Sequence, residues 1–417
     1  MRLLIFFAVA SKRNAMVWQA RFFKLLPTAF MLTMLIVGAL LAPSAAQARA
    51  ASPSTQKLQI SSLTMIDQTH GWALNKNLNH VYVTSQGPEH WIDVTPSFLI
   101  KNLSSYITSS FFLNSTDGYI GLWLGESTYL LRTYDGGHSW QSTLFTIPIL
   151  GDIPAIVQIN FIDPQHGWLS FDRNQVQPGE FQILLMRTTN GGKSWQTMID
   201  TSQTPAGLPA PYSLTFQFAF TNPQDGWVTG AYLYGTVYLY YTHDGGKTWN
   251  QSDIPPVKGY QDIDFTDGFG PFWHNSHVGV LTVRYDLNDG TSHVATYQTY
   301  DGGKSWILGP SSPIGVNTVY SFPDAQDIWG FEFGSQNHYL ILHSRTGGLS
   351  WQSFQPTGLI AANADTQVLV SIQFLNAATG WVIVKDEQGN FDLFQTNTGG
   401  HSWHLVHPVI SNPSNEM

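Results

Sequence analysis

The chain has 417 residues, 43% of them hydrophobic and 14% aromatic but only 11% charged, with 37 Gly, 22 Pro and no Cys. Strands favour aromatic residues and tight turns favour Gly and Pro, so this balance points to an all-β protein. The lack of Cys excludes disulfides, zinc–thiolate centres and a lipidated cysteine, and a net charge of −9 disfavours nucleic acid as a partner.

At the N-terminus, basic residues are frequent up to Lys24 and no acid precedes residue 50. An apolar run covers 25–42, and Ser44-Ala45-Ala46-Gln47-Ala48 follows, with small residues where a signal peptidase reads them. Residues 1–48 are therefore expected to be a secretory signal peptide and 49–417 a single extracytoplasmic domain. An uncleaved membrane anchor is the alternative, and Met16 offers a leader of more usual length than Met1. Of 19 basic and 28 acidic residues, five basic and no acidic ones fall in 1–48, so 14 and 28 remain, a net charge of −14. Such a body repels nucleic acid and anionic lipid.

One motif then recurs along the chain. A worn copy, Thr84-Ser-Gln86-Gly-Pro88-Glu-His-Trp91, is followed by Thr133-Tyr-Asp135-Gly-Gly137-His-Ser-Trp140 and Thr188-Thr-Asn190-Gly-Gly192-Lys-Ser-Trp195. Next come Thr242-His-Asp244-Gly-Gly246-Lys-Thr-Trp249 and Thr299-Tyr-Asp301-Gly-Gly303-Lys-Ser-Trp306. Ser344-Arg-Thr346-Gly-Gly348-Leu-Ser-Trp351 and Thr396-Asn-Thr398-Gly-Gly400-His-Ser-Trp403 complete seven copies. The Trp-to-Trp steps of 49, 55, 54, 57, 45 and 52 residues each match one four-stranded propeller blade.

A second mark precedes most copies, as in Phe161-Ile-Asp163-Pro-Gln-His-Gly167-Trp168 and Phe220-Thr-Asn222-Pro-Gln-Asp-Gly226-Trp227. It reads as an inner strand, a tight turn and a second strand. The copy with His277-Val-Gly279-Val280 departs most, because Val stands where the others have an aromatic or Trp. In one blade, strand A carries Val157 to Phe161, strand B Gly167 to Phe171, strand C Gln182 to Met186, and strand D starts at Trp195. Weak alternation within these strands fits blades covered on both sides by neighbours. The expected fold is a seven-bladed β-propeller of four-stranded antiparallel blades.

The Thr-x-Asp-Gly-Gly spacing suits a hairpin. The hydroxyl and carboxylate bond the turn's own backbone, and Gly takes the positive-φ position. The seven Trp residues, Trp91, Trp140, Trp195, Trp249, Trp306, Trp351 and Trp403, then read as packing between blades rather than ligand platforms. Asn190, Thr346 and Thr398 occupy the Asp position and keep a hydrogen-bonding side chain without a carboxylate. A turn tolerates that exchange and a catalytic acid does not, so Asp135, Asp244 and Asp301 are expected to be structural.

Together these motifs resemble Asp-box (bacterial neuraminidase repeat) propellers, and behind a leader they most resemble the photosystem II stability/assembly factor family. That resemblance covers nearly all of 49–417. It implies a non-enzymatic chaperone that holds a membrane-protein subunit during assembly. The family is associated with a basic, Arg-containing face, whereas here Arg beyond the leader is limited to Arg49, Arg132, Arg173, Arg187, Arg284 and Arg345. Sialidases share the Asp box but carry an Arg triad and an Arg-Ile-Pro-type motif, and no such tripeptide occurs here. A glycan-directed hydrolase or lectin is the alternative function, and a purely structural envelope repeat protein a third reading.

A site belongs on the face carrying the B–C and D–A loops. Glu126, Asp172 and Glu332 are the first choices for a ring of carboxylates that binds a cation or a basic peptide, with Arg173 beside them. Tyr212 and Tyr260 are candidate interface anchors in long Pro- and Gly-rich loops. The 14 His are scattered with no metal-ligand spacing, so no metal and no cofactor is expected. The expected partner is a protein bound by a monomeric scaffold.

Overall fold

The computed structural model describes residues 57–411, apart from 101–104, 126, 147–154, 178–179, 202–215, 232–236, 258–262, 289–291, 310–317, 335–337, 360–367 and 387. The leader lies outside the described residues. Seven antiparallel sheets follow one another along the chain, each an up-and-down run of four strands. The first strand of each is Ile60–Met65, Ser105–Phe112, Ala155–Phe161, Gln217–Phe220, Ile263–Trp273, Val319–Ser321 and Val368–Phe374, here strand A of blades 1 to 7. Neighbouring A strands pack against each other and blade 7 returns to blade 1, giving a seven-bladed β-propeller. Strands buried on both sides lose alternation, and in Gly118–Leu124 the first five residues are all buried.

Every turn from strand A to strand B is built on one side chain. Asp67, Asn114, Asp163, Asn222, Asn275, Asp324 and Asn376 each accept, through Oδ1, the backbone N–H groups two and three residues on, at 2.7–2.9 Å. Each hairpin from strand C to strand D is then tied to that turn. The amides of Gly87, Gly136, Gly191, Gly245, Gly302, Gly347 and Gly399 donate to the carbonyl two residues past the Asp or Asn, at 2.8–3.0 Å. Within the hairpin, the Thr or Ser hydroxyl accepts the second glycine's N–H, as Thr133 does from Gly137 at 2.9 Å. In the worn copy Pro88 has no N–H to give, and the Thr84 hydroxyl instead donates to the Gly87 carbonyl at 2.7 Å.

The Gly of the Gly-Trp mark serves a close approach. The last residue of strand A lays its side chain over it, so that a Cβ on Gly380 would stand 2.7 Å from the Phe374 ring. The following aromatic stacks on the same position in the next blade. Ring centroids lie 4.6 Å apart for Trp72–Phe112, 3.6 Å for Tyr119–Phe161, 3.9 Å for Trp168–Phe220, 3.8 Å for Trp227–Trp273 and 4.1 Å for Trp329–Phe374. Trp381 closes the ring by packing with Met65 of blade 1. The hairpin Trp residues meet these stacks edge-on, as Trp195 meets Phe161 at 88° and Trp403 meets Phe374 at 81°.

The Gly-Trp residues Trp72, Trp168, Trp227, Trp329 and Trp381 are at most 1% exposed; of the hairpin Trp residues, Trp91, Trp249, Trp306 and Trp403 are at most 6% exposed and Trp140, Trp195 and Trp351 half-buried.

Inner strands also hold one another through side-chain amides. Gln373 accepts the Met65 N–H at 2.8 Å and donates to its carbonyl at 2.7 Å, and Gln158 grips Phe218 the same way across blades 3 and 4. The ends meet on blade 1. Val409–Ile410 adds a parallel fifth strand beside His90–Asp93, with the Val409 N–H on Glu89 O at 2.8 Å and the Ser411 N–H on Trp91 O at 2.7 Å. The segment 56–60 considered from sequence shares in this closure, since Lys57 forms an antiparallel bridge with Val409. Leu58 joins the same seam by donating to Pro408 O at 2.8 Å.

Truncating Trp168 to Ala removes a sandwiched ring and is expected to cost about 3–5 kcal/mol. Trp195→Ala should cost less than half of that, because its ring is half-exposed. Chemical unfolding of the two variants checks the order.

Candidate interaction surface

Four antiparallel strands per blade place the A–B turns and C–D hairpins on one face of the disc, and the B–C and D–A connections on the other. The first is called the turn face below and the second the loop face.

On the turn face, the hairpin carboxylates are committed to their own backbone. Asp135 accepts the Ser139 N–H at 2.9 Å and the hydroxyls of Thr133 and Ser139 at 2.7 and 2.6 Å. The Ser139 hydroxyl, then the Ser139 amide and the Thr133 hydroxyl, hold its pKa down at about 2. In Asp244 burial opposes ionisation, but hydrogen bonds from Thr248 and Thr242 outweigh it and bring the pKa to about 2. Asp301 follows suit with Ser305 and Thr299. Where the acid is missing, the same donors are met by a neutral oxygen: Asn190 Oδ1 accepts the Ser194 N–H at 3.0 Å, Thr346 Oγ1 that of Ser350 at 2.8 Å, and Thr398 Oγ1 that of Ser402 at 2.9 Å. One geometry with three acceptor types assigns these positions to the turn.

The described arginines are also placed. Arg132 donates through Nη1 to the Gly191 carbonyl of the next blade at 2.7 Å, beside the Tyr134 hydroxyl, which donates to the same oxygen at 2.8 Å. Arg187 repeats the reach to Gly245 at 3.3 Å and lies over the Trp168 ring, where burial lowers its pKa. Arg284 grips Asp286 with two bonds of 2.8 and 2.6 Å. Arg345 is exposed in its hairpin. No three of these converge on one point, and among the described residues no cluster of three His, Asp or Glu is set to hold a metal ion.

Of the residues chosen from sequence for the loop face, Glu126, Tyr212 and Tyr260 lie outside the described residues. Asp172 and Arg173 were placed in a B–C loop. They belong instead to the strand Gly167–Gln177, paired with Ile183 and Gln182 of Glu180–Thr188. The hairpin continues because its backbone goes on pairing beyond the blade's core, so the loop shrinks to 178–179. Glu332 is likewise on a strand, Ile328–Gly334, opposite Leu340. It is half-buried near Tyr320, whose hydroxyl pKa is raised first by burial and then by the Glu332 charge. Of the three carboxylates, only the Glu332 side chain lies among the described residues.

Sequence reasoning passed over an aromatic group that flanks the loop-face end of blade 2. Tyr106 of Ser105–Phe112 pairs across the strands with Trp123 of Gly118–Leu124, ring centroids 5.2 Å apart. Tyr106 is 44% exposed. On the other side of the blade, Phe98 meets Tyr129 edge-on at 5.2 Å from the short helix Ser97–Ile100, whose Ile100 is 56% exposed. The available signal was the run of aromatics at strand ends farthest from the Gly-Trp turns. Exposed Tyr and Trp with polar tips are the side chains that anchor protein interfaces.

Comparison with known proteins matches this architecture. The photosystem II assembly protein Ycf48 of Synechococcus sp. (strain JA-2-3B'a(2-13)) is 24% identical over 302 residues, covering 63% of this chain and 78% of that protein. The chain resembles Ycf48. A solved structure of YCF48 bound to D1 peptide superposes with a TM-score of 0.51 at 18% identity, over 83% of this chain and 94% of that one. The GH74 enzyme of Niastella koreensis has the same fold, with a TM-score of 0.52 at 15% identity, and this chain spans about half of it, 54%. No protein-family model matches.

Asp135→Ala strands donors at an exposed turn and should cost about 1 kcal/mol, the low end for such losses, while Asp135→Asn should cost much less. The folded pKa of about 2 lies below the reference 3.8. The ionised side chain's contribution is therefore complete above the reference value and vanishes as pH falls through about 2. Thermal unfolding of wild type and Asp135→Asn between acid and neutral pH should show their difference shrinking towards the acid end.

Proposed function

We propose that this chain is an exported, non-enzymatic assembly scaffold that holds a segment of a protein partner, a membrane-protein subunit, against its loop face. The observation that carries this reading is the sequence likeness to an assembly protein, Ycf48, whose propeller has been solved with a peptide bound. The physical chemistry agrees. The turn-face carboxylates are spent on their own hairpins, while the loop face presents Tyr106, Trp123, Phe98 and Ile100 around one blade. Glu126, Asp172, Arg173 and Glu332 are proposed to select the partner by charge, with Tyr212 and Tyr260 as further anchors. A body of net charge −14 after loss of the leader favours a partner segment with basic residues.

The test is crosslinking and affinity capture of the tagged full chain from its own host's envelope. A discrete membrane-protein partner is expected, and replacing Tyr106 and Trp123 together by Ala should weaken its capture about tenfold or more, the effect of a hot-spot pair. Undiminished capture by that variant would move the site elsewhere. Turnover of aryl-glycoside or sialoside substrates, abolished by Glu126→Gln or Glu332→Gln, would replace this reading with a glycan-directed hydrolase. N-terminal sequencing of the exported protein should begin at Arg49.

A further inference from the structure

The turn face has a cleft of about 350 Å³ between the A–B turns of blades 5 and 6, walled by Phe272, Trp273, Val280 and Phe322, with His274 and Asp324 at the turns. Phe272 stacks on Phe322, ring centroids 3.8 Å apart, so the aromatic wall is complete from this chain alone. The acid beside it is not so well provided. Asp324 organises its A–B turn in the place that Asn114, Asn222, Asn275 and Asn376 hold in four other blades, and its Oδ1 accepts the Gln326 and Asp327 amides at 2.8 and 2.7 Å. The two other acids in this role give their second oxygen to a histidine three residues on, Asp67 to His70 at 2.8 Å and Asp163 to His166 at 2.9 Å. In blade 6 that third residue is Asp327, itself an acid, and it is bonded to His343 at 2.7 Å. Among the described residues nothing bonds Asp324 Oδ2, and no Lys or Arg pairs with it.

We propose that this cleft is a binding site for an arginine side chain of a protein partner. The occupant follows from charge complementarity: an apolar wall beside one uncompensated carboxylate matches a side chain that is apolar along its stem and cationic at its tip. The stem would lie along Phe272, Val280 and Phe322, and the guanidinium would donate to Asp324 Oδ2 in a charge-assisted bond. This protein already packs a guanidinium on an aromatic ring, where Arg187 lies 5.5 Å from the centre of Trp168. Phe272, Trp273 and Phe322 are each partly exposed, whereas Phe112, Phe161, Phe220 and Phe374, the equivalents of Phe322, are at most 5% exposed. The volume lies at the small end of ligand sites and suits a single side chain. The cleft is on the turn face, so it stands independently of the loop-face reading above.

Saturation-transfer NMR titration of the full exported chain with N-acetyl-argininamide tests the site, with N-acetyl-citrullinamide as the neutral compound of the same shape. A Kd on the order of 1 mM is expected for the arginine probe, with the citrulline probe about fivefold weaker. Asp324→Asn removes the charge and keeps the amide acceptor that four blades already use, so the turn survives and the two probes should bind within about twofold of each other. Asp135→Asn removes a charge from another hairpin of the same face and should leave the fivefold preference intact. No binding of the arginine probe by wild type, equal binding of the two probes, a preference that persists in folded Asp324→Asn, or one lost equally in Asp135→Asn would each overturn the proposal. The comparison of the two probes on wild type decides against it even if neither variant folds.

Discussion

In each of the seven blades, the first glycine amide of the C–D hairpin donates to a carbonyl of the A–B turn. This bond joins two turns that are far apart in sequence, and it requires each to be shaped first by its own side chain. The Asp or Asn at the start of the A–B turn aims the carbonyl, and the Thr-x-Asp box aims the amide. With both turns locked, the strands they join are held in register, and the ring of aromatic stacks can form between blades. The hairpin acids are thus ligands of their own backbone, which is why Asn and Thr can replace them.

The fold was legible because its determinants are local and repeated. The Thr-x-Asp-Gly-Gly-x-Ser-Trp spacing marks a hairpin wherever it occurs, and seven copies at blade-length intervals leave one architecture. Three features were less visible. The greater burial of Trp72, Trp168, Trp227, Trp329 and Trp381 comes from stacking on the next blade, some fifty residues on, although the partner positions Phe112, Phe220 and Phe374 carry the needed rings. Ring closure rests on Val409–Ile410, two residues whose backbone pairs with His90–Asp93 and leaves no periodic trace. The strand placement of Asp172, Arg173 and Glu332 was missed because hairpin length past the core is set by backbone pairing, which side-chain patterns report weakly.

The candidate site was less legible than the fold for the same reason. A binding face is built from connections that differ from blade to blade, so no repeat averages out the noise. Glu332 is the one chosen residue whose side chain is described, and it sits half-buried on a strand. What the structure adds is an aromatic group at Tyr106 and Trp123, visible only once the two strands are paired.

Hydrogen exchange of the glycine amides, read by glycine-selective nitrogen-15 labelling, examines the turn-to-turn bond itself. If that bond holds each blade together, the amides of Gly136, Gly191, Gly245, Gly302, Gly347 and Gly399 exchange as slowly as the amides of the central strands, despite lying in turns. Exchange at the rate of open loops, with the strands still protected, would show that the blades stand without it.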